Sequence, residues 1–306
     1  MTTIETRAAG AGVSAMTGPL IMLLGMLMFA LNDAMGKWLV ANYGLGQVIL
    51  VRSLAALVIL APFLWKAGLR SVLSVEKPWM QFTRVVLSTL EVFCFYYAVM
   101  YLPLADVMTY WLAAPIYVAA ASPLLLGENV GWRRWCAIAA GFIGVIITLE
   151  PSSAMFTLPA LISIVGSGAF AFMLLSGRSL RNTPDKSLVF FQVAGAGLAG
   201  LAFAPFDWAP ISSGVDLTLL GLLGIVAMAA HMLVNRALKI SDAATVAPLQ
   251  YTLLLWAVVF GWMFFGDVPR LGMLVGAGLI VASGLFIFFR ERQLKARNAV
   301  SPVVAE

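Results

Sequence analysis

The chain is dominated by apolar runs close to the length that crosses a lipid bilayer, separated by short polar connections. An α-helix needs roughly 20 residues to span the hydrocarbon core. Runs of that kind fall at about 18–38, 46–65, 82–102, 105–126, 133–149, 156–177, 187–206, 217–236, 243–265 and 270–289. In lipid every backbone N–H and C=O must be bonded within the protein, which leaves helices and closed barrels as the only spanning structures. Runs this long and this free of charge exclude the alternating pattern of a barrel. Composition agrees: 62% of the 306 residues are hydrophobic and 11% charged, against about 25% charged in an ordinary soluble domain. The fold expected is an all-α polytopic membrane protein with ten transmembrane helices.

The connections support that count. Tyr101-Leu102-Pro103-Leu104 and Gly266-Asp267-Val268-Pro269 are tight turns, and connections this short force consecutive helices to run antiparallel. With the N-terminus in the cytoplasm, sixteen of the 19 Lys and Arg residues fall on the inner side. Only Lys37 and Arg270 fall outside, and Arg52 lies within the second span. This positive-inside bias places both termini in the cytoplasm. The formal charge of +5 reflects those inner loops and gives no reason to expect nucleic-acid binding. The first apolar run lacks a convincing cleavage site soon after it and reads as a retained helix.

The two halves show weak self-similarity. Phe29-Ala30 before Gly36-Lys37 is answered by Phe170-Ala171 before Gly177-Arg178. Ala98-Val99 leading into Leu104-Ala105 is answered by Ala237-Leu238 leading into Ala243-Ala244, and GENVGWRRW by GDVPRLGML. The matches keep one order at nearly one offset, as a duplicated five-helix unit would. Five is odd, so the second unit enters the membrane in the opposite direction. Two inverted five-helix repeats are therefore expected, at 18–150 and 151–290, between cytoplasmic tails at 1–17 and 291–306. Inverted repeats are usual in alternating-access carriers, with substrate held between them near the bilayer midplane. The opposing reading is a membrane scaffold that transports nothing.

Polar residues within the spans mark the candidate site. Asn32, Asp33 and Glu91 lie inside helices, and a carboxylate facing lipid costs about 3 kcal/mol even on the lenient insertion scale. They should face a wet cavity or a partner, and a proton-linked step is compatible with two such acids. Structural alternatives stand beside this: Lys37, one turn after Asp33, can pair with it, Arg52 can snorkel to lipid phosphate as readily as recognise an anion, Arg84 can anchor helix 3 at the inner interface, and Asp106 can cap helix 4 after Pro103. His231 and Asn235 are four residues apart and share one helix face. Gln250 can hydrogen-bond across helices. Tyr97, Tyr110, Trp111, Tyr251 and Trp256 lie deep enough to wall an organic solute or simply to pack. Pro115 and Pro248 interrupt helices 4 and 9 and are candidate kinks or gates. Neither Cys94 and Cys136 nor the single His suggests a disulfide or a metal site; no cofactor is expected, and no Walker A or zinc-ligand pattern points to an enzyme.

These features resemble the drug/metabolite transporter superfamily, EamA type, across residues 18–290. The resemblance rests on the two-times-five organisation, FALNDAMGKW, Arg52-Ser53-Leu54-Ala55, the Pro-containing helix 4 ending LLLGENV, and APLQYTLLLWAVVFGWMFFGDVP. The sequence departs from a strict repeat where Gly127-Glu128 is answered by Gly266-Asp267, and where Leu254 stands opposite Pro115. The resemblance implies inner-membrane export of small organic metabolites through a cavity shared by both halves. The amino-acid exporters, including the aromatic branch, are closest in character. For such a substrate Glu91 or Asp33 would meet the ammonium, while Gln250, Asn235 or Tyr251 would bond the carboxylate. A cationic or aromatic drug would use the acids and rings without a carboxylate contact.

Overall fold

The computed structural model describes residues 3–68, 72–126, 131–148, 157–180, 183–211, 213–240 and 247–300. Its helices are α1 (Thr3–Val40), α2 (Leu45–Ala67), α3 (Pro78–Tyr101), α4 (Leu104–Leu112), α5 (Ala114–Leu126), α6 (Trp132–Thr148), α7 (Leu158–Ser179), α8 (Asp185–Phe203), α9 (Gly214–Ile240), α10 (Thr252–Phe265) and α11 (Leu271–Val300). Among the described residues eight stretches are long and apolar enough to cross a membrane; the apolar helix over Leu249–Phe265 is shorter, and α6 has 17 residues. The chain is an all-α polytopic membrane protein.

Several boundaries differ from the sequence reading. The fourth run is two helices: the path breaks at Ala113, whose N–H bonds Tyr110 O at 3.2 Å, two residues before Pro115. Proline has no N–H to continue the ladder, so the break falls where the chain would otherwise lose a bond. The ninth run opens as a 3-10 turn over Ala247–Tyr251, with Pro248 in it, before α10 begins. Pro248 thus lies ahead of the α-helix and does not kink its interior. The expected N-terminal tail is helical from Thr3, and α11 continues to Val300. The Gly127-Glu128 pair and the 150–156 connection lie outside the described residues.

Long-range packing follows a few pairings: α1 on α9 and α10, α2 on α8 and α9, α3 on α7 and α8, α4 on α10 and α7, α5 on α7, and α6 on α11. Without a hydrophobic drive between helices in lipid, close backbone approach is what holds such pairs. Gly144 and Gly276 supply it for α6 and α11, because a Cβ on either would run into the other's carbonyl oxygen. Tyr251 lies with its hydroxyl directly over Gly284 of α11. α4 lies at the centre, with all nine of its residues buried.

One end of the bundle gathers the connections at 40–45, 101–104, 203–214 and 265–271; we call it the turn end, and the other the tail end. At the turn end Gly266 adopts φ 68°, a left-handed conformation that glycine enters without penalty. The N–H of Asp267 returns to Gly261 O at 3.0 Å, a Schellman-type closure of α10. This aims the Asp267 carboxylate at the start of α4, where it accepts from the Leu104 N–H at 3.2 Å.

Candidate functional site

The site is assembled by α1, α2, α3, α4 and α9. Asn32 of α1 is buried and donates its amide to Leu223 O of α9 at 2.7 Å, fixing those two helices. One residue on, Gly224 lies against the carbonyl of Arg52, where any Cβ would collide. α9 therefore seats on α2 at the level of Arg52. Gly36 of α1 leaves the space that the Tyr96 ring occupies, and Tyr96, 1% exposed, accepts a hydrogen bond from Arg52 Nη1 at 2.6 Å. The guanidinium also lies 5.2 Å from the Tyr96 ring centre, within cation–π range.

Across from this pair, Trp111 of α4 donates its indole N–H to Glu91 Oε1 at 2.8 Å. The Trp111 ring is held edge-on by Phe95 at 5.3 Å and has room because Gly166 of α7 carries no side chain there. Asp33 and Glu91 are close enough to Arg52, and to each other, to interact electrostatically. Each of the three is half-buried although it lies well inside its helix. Among the described residues none of them makes an ion pair within 4.0 Å. Two carboxylates and a guanidinium thus lie within electrostatic reach of one another without closing into an ion pair.

The remaining sequence candidates have other neighbours in the structure. Lys37 does not pair with Asp33; it reaches Asp267 Oδ2 at 2.7 Å and Leu102 O at 3.1 Å. Asp106 does not cap α4, a role Asp267 takes, and instead accepts from Arg270 at 2.5 Å. Tyr110 is buried near Asp106 and Arg270 at the turn end. Tyr97 packs on Tyr101 at 5.0 Å. Trp256 of α10 stacks on Phe260 at 5.8 Å; in the 3-10 turn before that helix Gln250 is exposed and Tyr251 packs on α11. His231 lies edge-on to Phe29 at 4.7 Å and within electrostatic reach of Arg52 and Arg84. Asn235 lies in α9, its side chain outside the described residues. Tyr96 is the residue the sequence reading missed. For Arg52 the sequence leaves snorkelling and anion recognition open.

A multi-pass helical bundle with ionisable side chains midway along its helices has the architecture of the membrane transport proteins. The chain belongs to the EamA-like transporter family, whose model matches it twice, over residues 16–150 and 157–289. It is 30% identical to a riboflavin transporter of Rhizobium johnstonii, over 93% of this chain and 95% of that protein. It is 24% identical to an S-adenosylmethionine uptake transporter of Rickettsia felis, over 92% of this chain and 96% of that one. A solved crystal structure shares the fold with a TM-score of 0.60 at 16% identity, covering 92% of this chain and 99% of that one. The protein is a secondary transporter of small organic metabolites, a multi-pass protein of the bacterial inner-membrane type.

Proposed function

We propose that the protein moves a small zwitterionic metabolite, with amino acids as the preferred class, by alternating access between two inverted five-helix repeats. The observation that carries the substrate class is the open arrangement of Asp33, Arg52 and Glu91. Charges kept only for stability would be expected to pair directly, since an unpaired charge inside a membrane protein is costly. A solute with an ammonium and a carboxylate satisfies both signs at once. Its ammonium meets Glu91 and Asp33, its carboxylate meets Arg52 beside Tyr96, and Trp111 and Phe95 cover an apolar or aromatic side chain.

The repeat is supported by the packing. Matching α1, α2, α3, α4–α5 and α6 with α7, α8, α9, the turn plus α10, and α11 carries the list of pairings into itself: α1 on α9 becomes α7 on α3, and α2 on α9 becomes α8 on α3. The two-fold match of one family model favours the same division, with repeats at 18–150 and 151–290, ten spans and both termini in the cytoplasm. Direction follows the solute gradient. We favour export, and a proton exchanged at Asp33 or Glu91 is the coupling most compatible with a centre carrying one excess negative charge.

Counterflow into liposomes holding purified protein tests this. Labelled L-tryptophan should accumulate against unlabelled L-tryptophan inside, saturably, and more strongly than riboflavin, S-adenosylmethionine or a quaternary ammonium cation. A preference for the cation would move the assignment to a drug exporter. Leakage equal to that of protein-free liposomes for every solute would leave only a scaffold.

A further inference from the structure

Arg84 is the one charged side chain inside α3 that the central arrangement does not use. It lies seven residues before Glu91, about 10 Å of helix rise toward the tail end, on the stripe Gln81, Arg84, Ser88 and Glu91. Residues three or four apart share one helix face. An interface anchor would point outward, and exposed Lys77 at the start of α3 already does so. The Arg84 guanidinium instead turns into the bundle and donates Nη1 to Met173 O of α7 at 2.8 Å, within electrostatic reach of His231 on α9. It makes no ion pair among the described residues, and its Nε has no partner. One turn toward the tail end, Gln81 is 3% exposed, yet both its amide oxygen and its amide nitrogen lack hydrogen bonds. Buried polar groups in native structures are almost always bonded. A guanidinium carries five N–H donors, and a carboxylate is the group that takes two of them in parallel.

We propose that Arg84 and Gln81 form a second, tail-end station that binds the carboxylate of the solute before or after it occupies the centre at Arg52. The inference rests on the zwitterion reading for the identity of the solute but not for the existence of the station. Two cations then flank Glu91 along the helix axis, and the carboxylate passes from one to the other while the ammonium stays with the acids.

The test compares L-tryptophan with tryptamine, the same molecule without its carboxylate, in counterflow by wild type, Arg84→Gln, Arg84→Lys and Gln81→Leu. Arg84→Gln should raise half-saturation for tryptophan roughly tenfold, as loss of a charged hydrogen bond does, and leave tryptamine within about twofold. Arg84→Lys should fall between, and Gln81→Leu should shift tryptophan less. Equal losses for both solutes, or none, would overturn the station, since a role confined to holding α7 through Met173 O cannot sense the carboxylate. Repeating the assay in phosphatidylcholine with and without phosphatidylglycerol separates a lipid phosphate as the true ligand; an effect that tracks the anionic lipid also overturns it. If wild type carries neither solute, the zwitterion reading fails while the station is still tested. Millimolar inorganic phosphate should then raise the unfolding midpoint of purified wild type and not of Arg84→Gln, and equal shifts in both would reject it.

Discussion

The turn end and the centre of this transporter both contain acids and bases, and they treat them in opposite ways. At the turn end Lys37 of α1 grips Asp267 after α10, and Arg270 before α11 grips Asp106 of α4. Both pairs join the first half of the chain to the second, and Asp267 also holds the start of α4. Midway along the helices Asp33, Arg52 and Glu91 stay apart, bonded only to the neutral Tyr96 and Trp111 where they are bonded at all. Satisfied charges close a surface between two bodies; unsatisfied ones wait for a ligand. On the proposed carrier reading, the turn end is the side that these two pairs close, and the centre is where a solute would complete the electrostatics.

The largest effects should come from the centre. Arg52→Gln should lower tryptophan counterflow by about tenfold or more while sparing tryptamine, because it removes the partner of the carboxylate alone. Glu91→Gln should lower both, because both solutes carry the ammonium. Folded protein yield should change little, since neither charge is part of an ion pair. A reversed pattern, with Arg52→Gln disabling tryptamine and Glu91→Gln disabling only tryptophan, would invert the proposed polarity of binding.

This contrast was only half legible in the sequence. The spans and turns could be read because about 20 apolar residues and a polar break repeat down the chain. Asp33 and Glu91 could be read because a carboxylate within such a run must have a reason to be there. The pairings could not. Lys37 has Asp33 one turn away, and nothing local shows that its partner is Asp267, 230 residues on. Tyr96 and Tyr97 differ by 100° around α3, and depth alone does not choose between them. The signal that could have chosen is the Tyr97–Tyr101 spacing, an i, i+4 pair whose rings pack on each other and leave Tyr96 for Arg52. The break at Ala113 was signalled by Pro115 and the late start of α10 by Pro248, but where each helix resumes was not, because an apolar run looks the same in a 3-10 turn as in an α-helix.

A middle-sized effect is expected where the turn end is broken. Asp267→Asn removes the counter-charge of Lys37 and weakens the bond to the Leu104 N–H. With side-chain exposures of 13% for Lys37 and 20% for Asp267, the loss should be about 1.5–3 kcal/mol of stability, the range for hydrogen bonds to charged groups. It should also free the closed side. Cys94, buried beside Gly166 and close to Glu91, is a built-in reporter once Cys136 is changed to Ser. Its alkylation by a membrane-impermeant maleimide should speed up several-fold in Asp267→Asn, and the Lys37→Asp, Asp267→Lys double exchange should restore slow labelling. Unchanged labelling in the single variant would mean that the pair holds helices together without gating access.

The smallest effect belongs to the second pair, and it sharpens the comparison by asking how much of the seal depends on burial. Asp106 is 4% exposed and Arg270 is 48% exposed. The arginine therefore keeps much of its hydration, and solvent and salt screen what it gives to the pair. Arg270→Gln should lower the unfolding midpoint by the equivalent of at most about 1 kcal/mol, and the difference from wild type should shrink between low and high salt. Asp267→Asn, acting on a less exposed pair, should keep most of its effect across the same salt range. Equal salt sensitivity in the two variants would show that both pairs are solvent-screened, and would remove burial as the reason that Lys37 and Asp267 hold the closed side.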